Sequence, residues 1–345
     1  MQENIEKHIK VSIVIPVYNP GERIHRTIHS LQEQTMREIE FISVLDCPTD
    51  GSDKILDAIA AKDSRFRVIC NEMNLGVAES RNRGLQVAKG QWVGFVDDDD
   101  YIDAPDYFEK MYALGCLHQA DVVVSDCYME TNDSVELISF AERTDTYQHL
   151  QSILYSVHSR LCTFALARSI WHSLYRREML QGINARFYDR KTHLEEDTLF
   201  NVQVYTHTSH FIHLPEAHYH WDLTNQRNEK NYQSTNDLCA FRRYYFVVKE
   251  LVQSSQLLSP SKKNELLSAC MTNYFYEKYC LIRDIPMGRV ESCFGNDLCR
   301  LSPLKLYKTY FQTAREMLGQ SVMILKFLLY VIKLKGYRMI NKNSF

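Results

Sequence analysis

Four consecutive carboxylates, Asp97-Asp98-Asp99-Asp100, close the short apolar run Gln91-Trp-Val-Gly-Phe-Val. The run reads as a buried strand. The acids that end it repel one another and cannot be buried without compensating positive charge. Carboxylates gathered at the carboxyl end of a strand suit a hard divalent cation with oxygen ligands, which commonly arrives bridging substrate phosphates. A solvated acidic turn is the other reading that this stretch leaves open. A second acidic group, Glu195-Glu196-Asp197, falls where a helix would begin, ahead of Leu199, Phe200 and Val204 as its apolar face. On those residues alone the acids are placed to meet the helix dipole, a gain of roughly a few tenths of a kcal/mol.

The elements that must position these acids alternate along the chain. Val11-Ser-Ile-Val-Ile-Pro-Val-Tyr-Asn19 is a β-branched run that reads as a central strand, with Pro16 at its end where no ladder donor is needed. A helix with Ile24, Ile28 and Leu31 as its buried stripe follows Pro20 and Gly21. Residues 39–45 form a second strand ending at Asp46, and after the turn at 47–52 either Ser52 or Asp53 caps a helix carrying Ile55, Leu56 and Ile59. A third strand spans 66–70, and a helix opens near Asn74 and runs to about Lys89. After the acidic run come a helix near 107–117 and a strand at 121–126. This alternation predicts a parallel sheet covered by helices on both faces. Ligands bind beyond the carboxyl ends of such strands, and Asn19, Asp46 and residues 97–100 all fall there.

With 345 residues and a formal net charge of -3, the chain has length for one large domain plus an appendage and lacks the basic field of a nucleic-acid binder. The polar first residues and ten cysteines without a CxxC pair predict a cytoplasmic protein with reduced thiols. No apolar run reaches the roughly 20 residues that span a bilayer. From Leu238 onward the pattern is helical, over 238–252, 261–282 and 305–317, so the polar stretch at 225–236 divides residues 1–230 from a helical module at 231–345. The last part, residues 320–345, combines an apolar run with Lys326, Lys333, Lys335, Arg338 and Lys342. It suits a basic amphipathic helix on an anionic membrane surface, or a helix docked on the module before it.

The ordered segments Val11–Asn19, Asp46 with Thr49-Asp-Gly-Ser52, Asn74-Leu-Gly76 with Ser80-Arg-Asn82, Phe95–Asp100, Trp171–Arg177 and Glu196-Asp197 together resemble the family 2 glycosyltransferases over roughly residues 10–225. The resemblance implies a GT-A fold: a Rossmann-like α/β plan with a mostly parallel sheet flanked by helices, here with an α-helical C-terminal extension. It implies an inverting, hexosyltransferase-like enzyme that moves a sugar from a nucleotide diphosphate, UDP by expectation, to an acceptor hydroxyl on a glycan or lipid-linked acceptor. The implied setting is surface polysaccharide or glycan synthesis, peripheral on the inner face of the membrane. It also implies Mn2+ or Mg2+, with Asp99 as metal ligand and Asp97 shared between metal and donor. Asp98 is expected at the ribose or a metal-bound water, and Asp100 to be dispensable to the site. Asp197 becomes the base, with Glu196 as the fallback because Glu195 blurs the register, and this displaces the helix-dipole reading of the trio. Asp46 is implied to hold the base ring, Arg81 to lie near the base or diphosphate, and Pro16, Tyr18 and Asn19 to line the nucleotide pocket. His218 and His220 lie where a late diphosphate or metal ligand would come from, though a structural histidine is the commoner case. Cys47-Pro48 departs from the acid and Gly-Ser that the family often carries there. Another nucleotide-sugar enzyme such as a nucleotidyltransferase would want a Gly-rich basic loop, of which Tyr18–Arg23 is a poor version. A non-catalytic nucleotide or glycan module would not need the acids at 97–99 and 196–197.

Overall fold

The computed structural model describes residues 8–139, 169–189, 192–193, 195–224, 238–267 and 270. Among them, eight strands follow the order β3-β2-β1-β4-β8-β6-β9-β5 in a single sheet, and a ninth, β7, pairs with β6. Strands β1 (Val11–Val17), β2 (Ile39–Leu45), β3 (Phe66–Cys70) and β4 (Trp92–Phe95) run parallel. Every residue of β1 and β2 is buried, as expected for strands covered on both faces. Pro16 pairs with Val44 of β2, while the ladder to β4 ends at Val14, so its missing N–H breaks no bond on that side. Helices α1 (Arg23–Gln32), α2 (Ser52–Ala60), α3 (Val77–Val87) and α4 (Tyr107–Leu117) alternate with these strands as the spacing predicts. The cap of α2 falls to neither Ser52 nor Asp53. Asp50 accepts hydrogen bonds from the N–H and hydroxyl of Ser52, at 3.1 and 2.7 Å.

Beyond β4 the sheet turns mixed. Strand β8 (Ser173–Arg176) pairs antiparallel with both β4 and β6 (Val122–Glu130). Strand β9 (Phe211–Asp222) runs parallel to β6, and the two-residue β5 (Tyr101–Ile102) pairs antiparallel with β9. Strand β7 (Val135–Ile138) pairs with residues 127–130 of β6. The twelve-residue β9 is hidden in the sequence because it carries three histidines and Pro215. The register steps from Leu214 opposite Ser125 to Ala217 opposite Asp126, so Pro215 and Glu216 lie in a bulge where no ladder donor is needed. Helices α5 (Arg177–Gly182) and α6 (Glu196–Tyr205) follow β8, and α7 (Leu238–Ser254) packs on α6. The expected helix at 238–252 is thus present, and helix resumes at 260–267. The boundary at 225–236, the helix at 305–317 and the basic stretch at 320–345 lie outside the described residues. No helix among the described residues is long and apolar enough to cross a membrane.

Two close fits hold the site end of the sheet. Helix α3 lies so near β1 that a Cβ on Gly84 would sit 2.2 Å from Val14 Cγ1. The turn after β4 is held by Asp100, which is 1% exposed. Its Oδ2 accepts from the Tyr219 hydroxyl at 2.6 Å, its Oδ1 from the Asp222 N–H at 2.9 Å, and its carbonyl from Thr27 Oγ1 at 2.7 Å. The sequence reading made Asp100 a dispensable cap. The structure corrects that: its carboxyl and carbonyl join the turn to β9 and α1. Burial, and then the charges of Asp97 and Asp99, push its carboxyl well above the ordinary range. The native state therefore keeps a proton that the unfolded chain releases near pH 4, so this group erodes stability as pH rises from about 4 toward its native value.

Gly84→Ala should lower stability by about 1–3 kcal/mol through overpacking, and Val14→Ala in the same chain should return part of it; thermal melts read both. Asp100→Ala should cost about 1–3 kcal/mol for each donor left unpaired. Asp100→Asn should lose less stability than the wild type between about pH 4 and pH 7, because it has no proton to release.

Candidate active site

The remaining three acids of the turn each take a different partner. Asp97 Oδ1 accepts from Arg81 Nη2 at 2.8 Å, and its N–H donates to the Tyr219 hydroxyl at 3.3 Å. Asp98 Oδ2 accepts from the Tyr18 N–H at 2.9 Å, tying the turn to the end of β1. Asp99 Oδ2 lies 2.9 Å from Arg23 Nη1. Tyr219 is fully buried and its ring stacks on Trp171 at 4.6 Å, so the segment around β8 supports the acidic turn from behind.

Arg81 is the hub. It projects from α3, is 3% exposed, and places Nη1 2.5 Å from Asp197 Oδ1 and 3.5 Å from Glu196 Oε1. Burial opposes its charge, but Asp197, Asp97 and Glu196 outweigh burial and hold it cationic above its ordinary value. Its guanidinium also faces the Phe187 ring at 5.5 Å. That ring is fixed by Asn82, whose amide accepts from the Phe187 N–H at 2.8 Å and donates to the Phe187 carbonyl at 3.0 Å. Phe187 also stacks on Phe200 of α6 at 4.2 Å. The expected neighbours of Arg81 are a base or a diphosphate; here its guanidinium lies among carboxylates.

At the start of α6, Glu195 adopts a left-handed φ of 43° and its Oε2 accepts from the Thr198 hydroxyl at 3.0 Å. Glu196 and Asp197 both face Arg81, and Asp197 makes the shorter contact while being the more exposed, at 25% against 9%.

The remaining donor-site candidates lie at the ends of β1 and β2. Asp46 is 3% exposed. Its Oδ1 accepts from Asn71 Nδ2 and the Leu75 N–H, both at 2.7 Å, and its Oδ2 from the Gly76 N–H at 2.8 Å. Gly76, at φ 89°, turns the chain into α3 in a conformation that glycine adopts without strain. The carboxylate expected at a base ring thus organises the 71–76 loop. Asn19, with φ 53°, accepts from the Thr49 N–H at 2.6 Å, and Asp50 accepts from the Gly21 N–H at 2.8 Å, so the loops after β1 and β2 are stitched together. Tyr18 is 46% exposed beside them.

Hard carboxylate oxygens at Asp97 and Asp99 are the donor set that Mg2+ or Mn2+ takes beside phosphates and water. Among the described residues no group of three or more His, Cys, Asp or Glu could hold a metal by itself. The residues therefore fit an ion that a phosphate helps to bind. His218 Nδ1 and His220 Nε2 lie 2.9 and 3.0 Å from the two oxygens of Asp103, and His220 is sandwiched by Tyr101 and Tyr128. Burial alone would raise the Asp103 carboxyl, but the two imidazoles hold it below its usual range.

Several supports escape the sequence reading: Tyr219, Arg23, Thr27 and Asn71. Thr27 alone left a sign, a polar residue on the buried face of α1.

With this geometry in hand, the likenesses to known proteins are specific. Residues 12–174 match the family model described as Glycosyl transferase family 2. The glycosyltransferase EpsJ of Bacillus subtilis, itself uncharacterized, is 32% identical over 212 residues, 61% of this chain and 60% of that one. GlyA, a glycosyltransferase of Streptococcus pneumoniae, is 32% identical over 216 residues, 61% of this chain and 30% of that one. The chain thus spans less than two thirds of the length of these relatives. S. aureus TarS 1–349, solved in complex with UDP-GlcNAc, shares the fold with a TM-score of 0.67 at 21% identity, covering 96% of this chain and 92% of that one. Its GT-A fold agrees with the expected class, and residues 12–174 belong to glycosyl transferase family 2.

Proposed function

We propose that the chain transfers a sugar from a UDP-sugar to an acceptor hydroxyl, with inversion, using Asp197 as the base. The observation that carries this reading is the single buried guanidinium of Arg81, which contacts Asp97 of the strand-end acids and Asp197 of α6 together. Donor acids and a candidate base, 100 residues apart in the chain, thus lie within reach of one substrate. The UDP-GlcNAc complex of a protein with the same fold supports the choice of donor class.

An acceptor hydroxyl has a very high pKa, so a carboxylate must take its proton as the new bond forms. Asp197 is the more exposed of the two acids on Arg81, and the guanidinium fixes its orientation and favours its charged form. Glu196, more deeply buried, steadies Arg81 from the other side. The hydroxyl oxygen attacks the anomeric carbon, its proton passes to Asp197, and the bond to the UDP oxygen breaks on the opposite face, which inverts the centre. A divalent cation bound by Asp99, with Asp97 beside it, would supply charge neutralisation for the leaving diphosphate. Asp98 holds the Tyr18 backbone at the mouth of the nucleotide pocket, and Tyr18 offers an exposed ring beside Asn19. Asp46 shapes that pocket through the 71–76 loop. The acceptor class is a surface glycan or lipid-linked sugar, with residues 320–345 as the contact to anionic lipid.

Asp197→Asn should lower turnover of UDP-sugars about 10²–10⁴-fold while UDP affinity, read by calorimetry, stays near the wild-type value. Loss of UDP binding in that variant would assign Asp197 to the fold instead. Asp99→Ala should abolish the stimulation of turnover by Mn2+; unchanged stimulation would remove Asp99 from the ion's ligands.

A further inference from the structure

The Arg23–Asp99 pair has no part in the reading above, and its setting differs from that of Arg81. Arg81 is 3% exposed and holds three carboxylates, so it is a permanent part of the interior. Arg23 and Asp99 are 17% and 29% exposed and meet at 2.9 Å at the edge of the turn, where solutes reach them. The backbone of Arg23 is nevertheless fixed. Thr27 lies one helical turn further along α1 on the same face. Its hydroxyl contacts the carbonyls of Asp98 and Asp100 at 3.2 and 2.7 Å. Arg26, one residue before Thr27, pairs with Asp222 and covers the Tyr101 ring at 4.1 Å. Gln34 donates to the Ala104 carbonyl at 2.8 Å. Helix α1 is thereby fastened along the whole acidic turn. Only the side chain of Arg23 has room to move, and its reach is centred on Asp99.

A guanidinium and a divalent cation compete for the oxygens of one carboxylate. Asp99 faces this competition directly, since the proposed ion site and the Arg23 contact share it. A guanidinium released from Asp99 remains within its own length of the turn, where the diphosphate would lie, and its planar fork matches phosphate oxygens. We infer that Arg23 is the resident counter-ion of Asp99, yielding that carboxylate to the incoming cation and moving to the nucleoside diphosphate. Cation and diphosphate then bind cooperatively, because each completes the exchange that the other begins. This rests on the donor-site reading above.

The test is Mn2+ binding by the full chain, measured by electron paramagnetic resonance without nucleotide and again with saturating UDP. Arg23→Gln should bind Mn2+ alone about tenfold more tightly than the wild type, and the tightening of Mn2+ binding by UDP should shrink by a similar factor. Arg23→Lys should stay near the wild type. In an Asp99→Asn background the Arg23→Gln substitution should have no further effect on Mn2+ affinity. Equal Mn2+ affinity in the wild type and Arg23→Gln, or a gain that persists with Asp99→Asn, overturns the inference. If the wild type binds UDP with Mn2+ while its Mn2+ affinity ignores Arg23, the inference falls and the donor site stands. If the wild type binds neither Mn2+ nor UDP, the donor-site reading falls and takes the inference with it.

Discussion

The rest of the structure depends on neutralising four adjacent carboxylates at the end of one central strand. An unpaired charge buried beside others of its sign is prohibitively costly, so each acid must find a separate donor. The four solutions come from four places: Arg81 on α3, the backbone of Tyr18 after β1, Arg23 on α1, and the Tyr219 hydroxyl with the Asp222 N–H on β9. Satisfying this turn therefore fixes the relative positions of helices on the early half of the sheet and of a strand more than a hundred residues later.

The same requirement creates the site. Arg81 is buried by its surroundings yet kept charged by the acids around it, and its guanidinium joins Asp97 to Glu196 and Asp197. Because Phe187 and Asn82 hold the chain beside it, the three carboxylates meet a rigid cation and little reorganisation is needed when a substrate arrives. Asp46 acts in a similar way at smaller scale, ordering the 71–76 loop through three accepted hydrogen bonds. Preorganisation here is a by-product of charge balance.

Much of the fold was legible. β1 and β2 announce themselves as unbroken apolar, β-branched runs because both their faces are covered, and the short turns between strands and helices leave little choice but a parallel layered sheet. The mixed half was not legible for the opposite reason. β9 alternates apolar residues with histidines whose acidic partners sit on other elements, and Pro215 lies in a bulge that only pairing with β6 explains. β5, with two residues, has no periodicity at all.

The sequence by itself determined the class of the sheet, the ends at which the acids fall, and the pairing of a strand-end acid run with a later acid group at a helix start. Those features are local: they follow from side-chain periodicity and from residue types within short windows. Only the tertiary structure decided which acid serves which purpose. Adjacent aspartates are identical in a string, and they become distinct when Asp100 turns inward to Tyr219, Asp97 to Arg81, Asp98 to a backbone N–H and Asp99 to Arg23. The same holds for 195–197, where the left-handed turn at Glu195 sends that side chain to Thr198 and leaves the next two to Arg81. Roles that depend on which partner lies within about 3 Å are set by packing between distant segments, and no local pattern carries that information.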